Sequence, residues 1–183
     1  MTGFSTAEAR AGSFRLVWEL RSVNHRFLEL GAERVIAMSR HESRQKLAME
    51  FGATDIVAER GEEGEQQILE LTGGVGADSV LECVGTDQSM RTAFSIARPG
   101  STVGFVGVPH GVKLPVRRMF AHNVGLAGGM APVRAYLPDL LERTLSGSID
   151  PGKVFDMTLP LDDVAEGYRA MDERRAIKVL LKP

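Results

Sequence analysis

From Gly31 onward, short apolar runs alternate with helix-length amphipathic stretches. Val35, Ile36, Ala37 and Met38 are uninterruptedly apolar, the pattern of a strand. Residues 42–51 place Leu47, Ala48 and Phe51 on one helical face, let Glu42 and Lys46 pair one turn apart, and close at Gly52. Residues 55–57 read as a short strand, 65–71 as a helix and 72–76 as a glycine-rich break. A strand over 79–84 leads into a helix over 86–97, with Thr86 as N-cap and Met90, Ala93, Phe94 and Ala97 inward. Pro99 and Gly100 then turn into a β-rich run over 102–108. Residues 124–127 predict a strand, and 133–145 a helix kinked or restarted at Pro138. After Asp150, Pro151 and Gly152 the pattern predicts a strand over 154–159, a helix over 162–171 and a strand over 177–181.

Strands alternating with helices imply parallel βαβ units. The expected class is α/β, an open, doubly wound parallel sheet with helices on both faces. The first thirty residues follow another pattern. Phe14, Leu16, Trp18 and Leu20 alternate along an expected strand, while Val23, Phe27 and Leu30 stand at helical spacing behind a candidate cap at Ser22. Residues 21–30 also suit extended structure, and periodicity leaves both forms open.

Composition narrows the function classes. With 43% hydrophobic and 25% charged residues, 183 residues suit one well-buried domain rather than two full ones. A net charge of -2 gives no whole-surface attraction to nucleic acid or membrane, so a nucleic-acid partner is disfavoured. Cys83 is the single cysteine, which excludes an internal disulfide and a cysteine-built zinc site. His25, His41, His110 and His122 share no metal-ligand spacing and offer no base–nucleophile pair, so no catalytic or metal residue is assigned. The opening MTGFSTAEAR lacks the apolar core of a signal peptide and no run reaches membrane-spanning length, so the expectation is a cytoplasmic protein.

The blocks GAERVIAMSRHESR, FGATDIV, LTGGVGADSVLECVG, ARPGSTVGFVGVPHG and DERRAIKVLLKP resemble, in order, the C-terminal part of the zinc-type medium-chain dehydrogenase/reductases, the alcohol-dehydrogenase-like oxidoreductases. The resemblance implies a Rossmann-like nucleotide-binding domain over 31–150 and a segment, 151–183, that in the family completes the catalytic domain. Two family parts do not precede Gly31: the domain carrying the zinc ligands, and the first strand with its Gly-x-Gly-x-x-Gly turn, whose glycines let amides approach a pyrophosphate. The sheet is therefore expected to be incomplete. Gly73, Gly74 and Gly76 precede a strand and read as a helix-ending turn, and Gly104 and Gly107 lead into Pro109 without a helix start, so neither cluster replaces the loop. Residues 1–30 instead resemble the start of the YicC-like endoribonucleases, in their Met-Thr-Gly-Phe opening and Leu-Arg-Ser-Val-Asn-His-Arg core. Two unrelated fragments then meet near Leu30 and Gly31.

The dehydrogenase resemblance assigns candidate cofactor contacts. The second strand of the fold ordinarily ends in an acid that accepts hydrogen bonds from the adenosine 2′-hydroxyl. Ser39 stands there instead, followed by Arg40, whose planar charged fork matches phosphate, and by Arg44 one helical turn on. This implies NADP(H); a solvated pair flanking a helix is the plainer alternative. Cys83, Val84 and Gly85, and Val106, Gly107 and Val108, follow strands whose ends in the family lie along the nicotinamide and its ribose. Cys83 by itself reads as a small buried hydrophobe. Lys178 matches a basic residue that reaches the pyrophosphate in the family, with a solvated strand charge as its alternative.

The implied function is the cofactor-binding portion of an NADP(H)-dependent oxidoreductase, inactive alone because catalytic zinc and its ligands lie outside it. The alternatives are an RNA-binding or endoribonuclease-related role from residues 1–30, or a purely structural chimera in which 14–30 stands in for the missing first strand and helix. Unless they pack on each other, 154–159 and 177–181 expose apolar faces that favour self-association.

Overall fold

The computed structural model describes residues 3–11, 14–22 and 34–183. In chain order the elements are β1 (Gly3–Ala11), β2 (Phe14–Ser22), β3 (Ile36–Met38), α1 (Glu42–Glu50), β4 (Asp55–Val57), α2 (Gly61–Leu71), β5 (Ala77–Glu82) and α3 (Asp87–Ile96). They continue as β6 (Ala97–Phe105), α4 (Val116–His122), β7 (Gly125–Gly128), α5 (Val133–Leu145), β8 (Met157–Pro160), α6 (Val164–Asp172) and β9 (Val179–Lys182). Among the described residues the strands form four sheets: an antiparallel β1–β2 hairpin, parallel β3–β4 and β8–β9 pairs, and a parallel β5–β6–β7 sheet. Two compact units result, Met1–Leu30 with Arg60–Leu140, and Gly31–Glu59 with Leu141–Pro183.

Among the described residues the β1–β2 hairpin forms a sheet of its own and pairs with no other strand. β2 lies antiparallel to β1, with Ala11 opposite Phe14 and Gly3 opposite Ser22, which corrects the expectation that Phe14 onward serves as a surrogate first strand. A partner two residues away closes a short loop, whereas a parallel pairing needs a long crossover. The undecided stretch 23–30 lies outside the described residues.

In the first unit, α3 carries the core. Thr86 caps it as expected: the Ser89 amide donates to Thr86 Oγ1 at 3.2 Å, and the Thr86 amide donates to Ser89 Oγ at 3.1 Å. Met90, Ala93, Phe94 and Ala97 are buried, together with Ile68, Val80 and Val103. The 72–76 break is a helix-ending turn, with Gly73, Gly74 and Gly76 at positive φ and the Gly74 amide donating to Leu69 O at 2.7 Å. The next strand begins at Ala97 rather than 102, because the pairing slips between Ala77↔Ala97 and Ser79↔Thr102 and residues 98–101 bulge out around Gly100. It also stops early, at Phe105, so residues 106–108 form a turn.

In the second unit, α1 packs on β3 and Val57 of β4 is fully buried. Leu47 and Ala48 are only half-buried and Phe51 is exposed, so the face expected to point inward is thinly covered. The strand expected from 154 begins at Met157, since Asp150 accepts from the Gly152 amide at 3.2 Å and Pro151 starts a 3₁₀ turn over Pro151–Val154. β8 and β9 pair with each other beneath α6, where Gly167 passes Val179 closely. α5 runs through Pro138 as one helix, and Val133, Leu137, Leu141 and Leu145, at four-residue spacing along it, are all exposed.

Candidate functional site

Two groups of candidate residues stand at the carboxyl ends of parallel strands, one in each unit. In the second unit, β3 runs into Ser39 and α1 begins directly after His41. The Ser39 amide donates to Val57 O at 3.1 Å, which extends the strand pairing by one residue. Its carbonyl accepts from Gln45 Nε2 at 2.6 Å, and its hydroxyl accepts from the His41 amide at 3.3 Å. Ser39 is therefore tied down on both sides while Arg40 projects into solvent. Arg40 and Arg44 are exposed and form no ion pair among the described residues, whereas Arg34 pairs with Asp55 at 3.2 Å. Glu42, the acid nearest these cations in sequence, is engaged by Lys46 at 2.8 Å, and that hydrogen bond and charge hold its carboxyl below the usual range. Two uncommitted guanidinium groups beside the start of a helix suit an anion.

Lys178, in the same unit, has its amide fixed by Asp156 Oδ1 at 3.2 Å, and the Ile177 amide donates to the same carboxylate at 2.8 Å and 3.0 Å. Its exposed ammonium makes no ion pair among the described residues. Backbone fixed and side chain uncommitted is the disposition that a phosphate contact requires, and it fits a solvated charge equally.

In the first unit, the turns after β5 and β6 interlock. Gly85 and Gly107 are buried between exposed valines, Val84, Val106 and Val108. A Cβ on Gly85 would lie 2.0 Å from Val108 O, and one on Gly107 would lie 2.3 Å from the Gly85 amide nitrogen. The His110 amide donates to Gly85 O at 2.9 Å, adding a bridge between the two turns. Only glycine allows this approach. The outcome is a rigid sheet edge that presents backbone groups and three apolar side chains. Cys83 is exposed, which corrects its expected burial: Glu82, not Cys83, takes the inward position as β5 ends.

Glu82 is the residue that sequence reasoning missed. Its signal was present, an acid inside an otherwise apolar run of Val80, Leu81 and Val84. Among the described residues, no group of three or more His, Cys, Asp or Glu side chains could hold a metal ion. The donors present therefore do not fit a zinc centre. No helix is long and apolar enough to cross a membrane among the described residues.

Parallel strands ending in glycine turns, with a Ser-Arg strand end leading into a helix, define the class of α/β folds that bind nucleotides at the carboxyl edge of a sheet. Comparison with known proteins makes the class specific. The zinc-binding dehydrogenase family matches residues 28–146, and the chain belongs to that family. The N-terminal region of the YicC-like endoribonucleases matches residues 1–51. A probable zinc-binding alcohol dehydrogenase of Mycobacterium tuberculosis is 38% identical over 84% of this chain and 40% of its own length. The NADP-dependent isopropanol dehydrogenase of Thermoanaerobacter brockii is 32% identical over 84% of this chain and 45% of its own. Among solved structures, the alcohol dehydrogenase TADH of Thermus sp. ATN1 has a TM-score of 0.74 at 31% identity, covering 83% of this chain and 44% of that one. An NAD-dependent alcohol dehydrogenase has a TM-score of 0.71 at 28% identity, covering 82% and 44%. The chain thus spans less than half the length of these relatives.

Proposed function

We propose that this chain is the dinucleotide-binding portion of an alcohol-dehydrogenase-like oxidoreductase, that it favours NADP(H) over NAD(H), and that it transfers no hydride alone. The observation that carries the cofactor preference is the strand end itself: Ser39 and two uncommitted arginines, Arg40 and Arg44, where an acid would repel a 2′-phosphate. Family likeness cannot make this choice, because its members named above include both an NADP- and an NAD-dependent enzyme. Ser39 offers a hydroxyl and Arg40 a bidentate fork to the phosphate, with Arg44 as a second positive charge. Residues 83–85 and 106–108 line the nicotinamide side, Val84, Val106 and Val108 giving an apolar flank for a planar ring. Lys178 serves the pyrophosphate. The bound dinucleotide supplies hydride chemistry; the chain's own part is to select, orient and shield it. The proposed inactivity is supported by the chain's spanning less than half the length of the dehydrogenases that it matches.

The matching of residues 1–51 to an endoribonuclease region supports a second reading, an RNA-directed role for the N-terminal segment. It stays behind the first because it rests on a shorter stretch of chain and no catalytic group. Residues 1–30 are then a segment of separate origin. Self-association is a further part of the proposal, and it is better served by the exposed face of α5 than by β8 and β9, which pack against α6.

The 2′-phosphate subsite can be tested apart from the rest of the cofactor. Adenosine 2′,5′-bisphosphate should bind the full chain more tightly than adenosine 5′-phosphate in isothermal titration. Arg40→Ala should erase most of that difference. Arg40 is solvent-exposed, so the lower end of a charge-assisted contact applies, a loss of about ten-fold. Equal affinity for the two nucleotides in the wild type would reject the subsite.

A further inference from the structure

Glu82 closes β5 at 3% exposure, a depth at which a carboxylate persists only when it is well bonded. One oxygen, Oε1, accepts three donors: the Val84 amide at 2.8 Å, the Gly85 amide at 2.8 Å and Ser89 Oγ at 2.7 Å. Its main-chain carbonyl accepts from the amides of Val106 at 2.9 Å and Gly107 at 3.3 Å. Both strand-end turns are therefore bonded to this one residue, the first through its side chain and the second through its backbone. Ser89 is also the capping-box partner of Thr86, so the start of α3 is tied to the same oxygen. The other oxygen, Oε2, is buried without a hydrogen-bond partner, so all of the side chain's bonding goes through Oε1.

We propose that Glu82 is a positioning residue for the dinucleotide, a clamp whose Oε1 holds the 83–85 turn while its main-chain carbonyl holds the 106–108 turn, so that their backbone and valines face the nicotinamide end as one rigid edge. This rests on the assignment of those turns to the cofactor. The clamp is a matter of reach and acceptor geometry rather than of charge. Glutamine has the same reach and keeps an acceptor oxygen for the three donors. Aspartate keeps the charge but is one methylene shorter, so one of its oxygens cannot hold Ser89 Oγ together with the Val84 and Gly85 amides. A residue acting through its electric field gives the opposite ranking.

The test uses the full chain as wild type, Glu82→Gln and Glu82→Asp, with amide hydrogen exchange followed by NMR and dinucleotide affinity followed by NADPH fluorescence. Val84 and Gly85 amides should be protected in the wild type. Glu82→Gln should keep exchange and affinity within a few-fold of wild type. Glu82→Asp should speed exchange at these two amides and weaken NADPH binding by about ten-fold, the loss of one or two buried bonds, while the Val103 amide is unchanged. A merely structural role would loosen the Val103 amide as well. Aspartate at wild-type values with glutamine impaired would overturn the proposal, as would fast exchange of the Val84 and Gly85 amides in the wild type, a reading that needs no variant to fold. A wild type that binds no nicotinamide dinucleotide but shows the expected exchange pattern would overturn the cofactor assignment and leave the clamp standing.

Discussion

Gly85→Ala should destabilise the chain by about 3 kcal/mol or more, the sum of a strained backbone and a main-chain collision. Gly85 sits at φ +85, outside the comfortable range of an L side chain, and its added Cβ would meet Val108 O at 2.0 Å. The colliding atoms are backbone, so no rotamer change relieves them. The 106–108 turn must move, and with it the amides that bond Glu82. Gly52→Ala is the control, because that glycine has φ +96 but nothing within 4 Å of the added carbon. Chemical denaturation should show the Gly85 variant losing clearly more stability than the Gly52 variant. Equal losses would mean that backbone strain alone is at work and that the two turns do not interlock.

Phe94→Ala should cost about 3–5 kcal/mol, a large share of the 5–15 kcal/mol by which a domain is ordinarily stable. Phe94 is 1% exposed on the inner face of α3, and its loss leaves a cavity between that helix and the β5–β6–β7 sheet. The same substitution at Phe51, 37% exposed after α1, should cost well under half as much. A comparable cost at both positions would contradict the burial that separates them. Sequence periodicity ranks the two alike, since each is an aromatic on the apolar face of an amphipathic helix.

That pair shows where the sequence is legible. α3 could be read nearly to the residue because its signals are local: Thr86 at the cap, and Met90, Ala93, Phe94 and Ala97 at helical spacing. The coverage of Phe51 depends on what packs against α1, which no local pattern states. Strand limits failed where local geometry intervened, at the bulge around Gly100 and at the 3₁₀ turn that Asp150 and Pro151 begin. β2 was legible as a strand from alternating Phe14, Leu16, Trp18 and Leu20, but its partner was not, because alternation says nothing about which edge is paired. Ser39 and Arg40 were legible as the junction between a strand and a helix, because they follow an apolar run and precede an amphipathic one. Glu82 was hidden because an acid near a strand end reads as solvated, and only its three donors reveal its depth.

The central claim is that a strand end with serine and two arginines selects a phosphorylated dinucleotide in a chain that spans less than half the length of its relatives. Fluorescence titration of the full chain with NADPH and NADH side by side tests it most directly. The account predicts measurable though weak binding of NADPH, with NADH weaker by about ten-fold, the worth of a charge-assisted phosphate contact at an exposed site. Binding of neither at millimolar concentration, or of both with equal affinity, would contradict it.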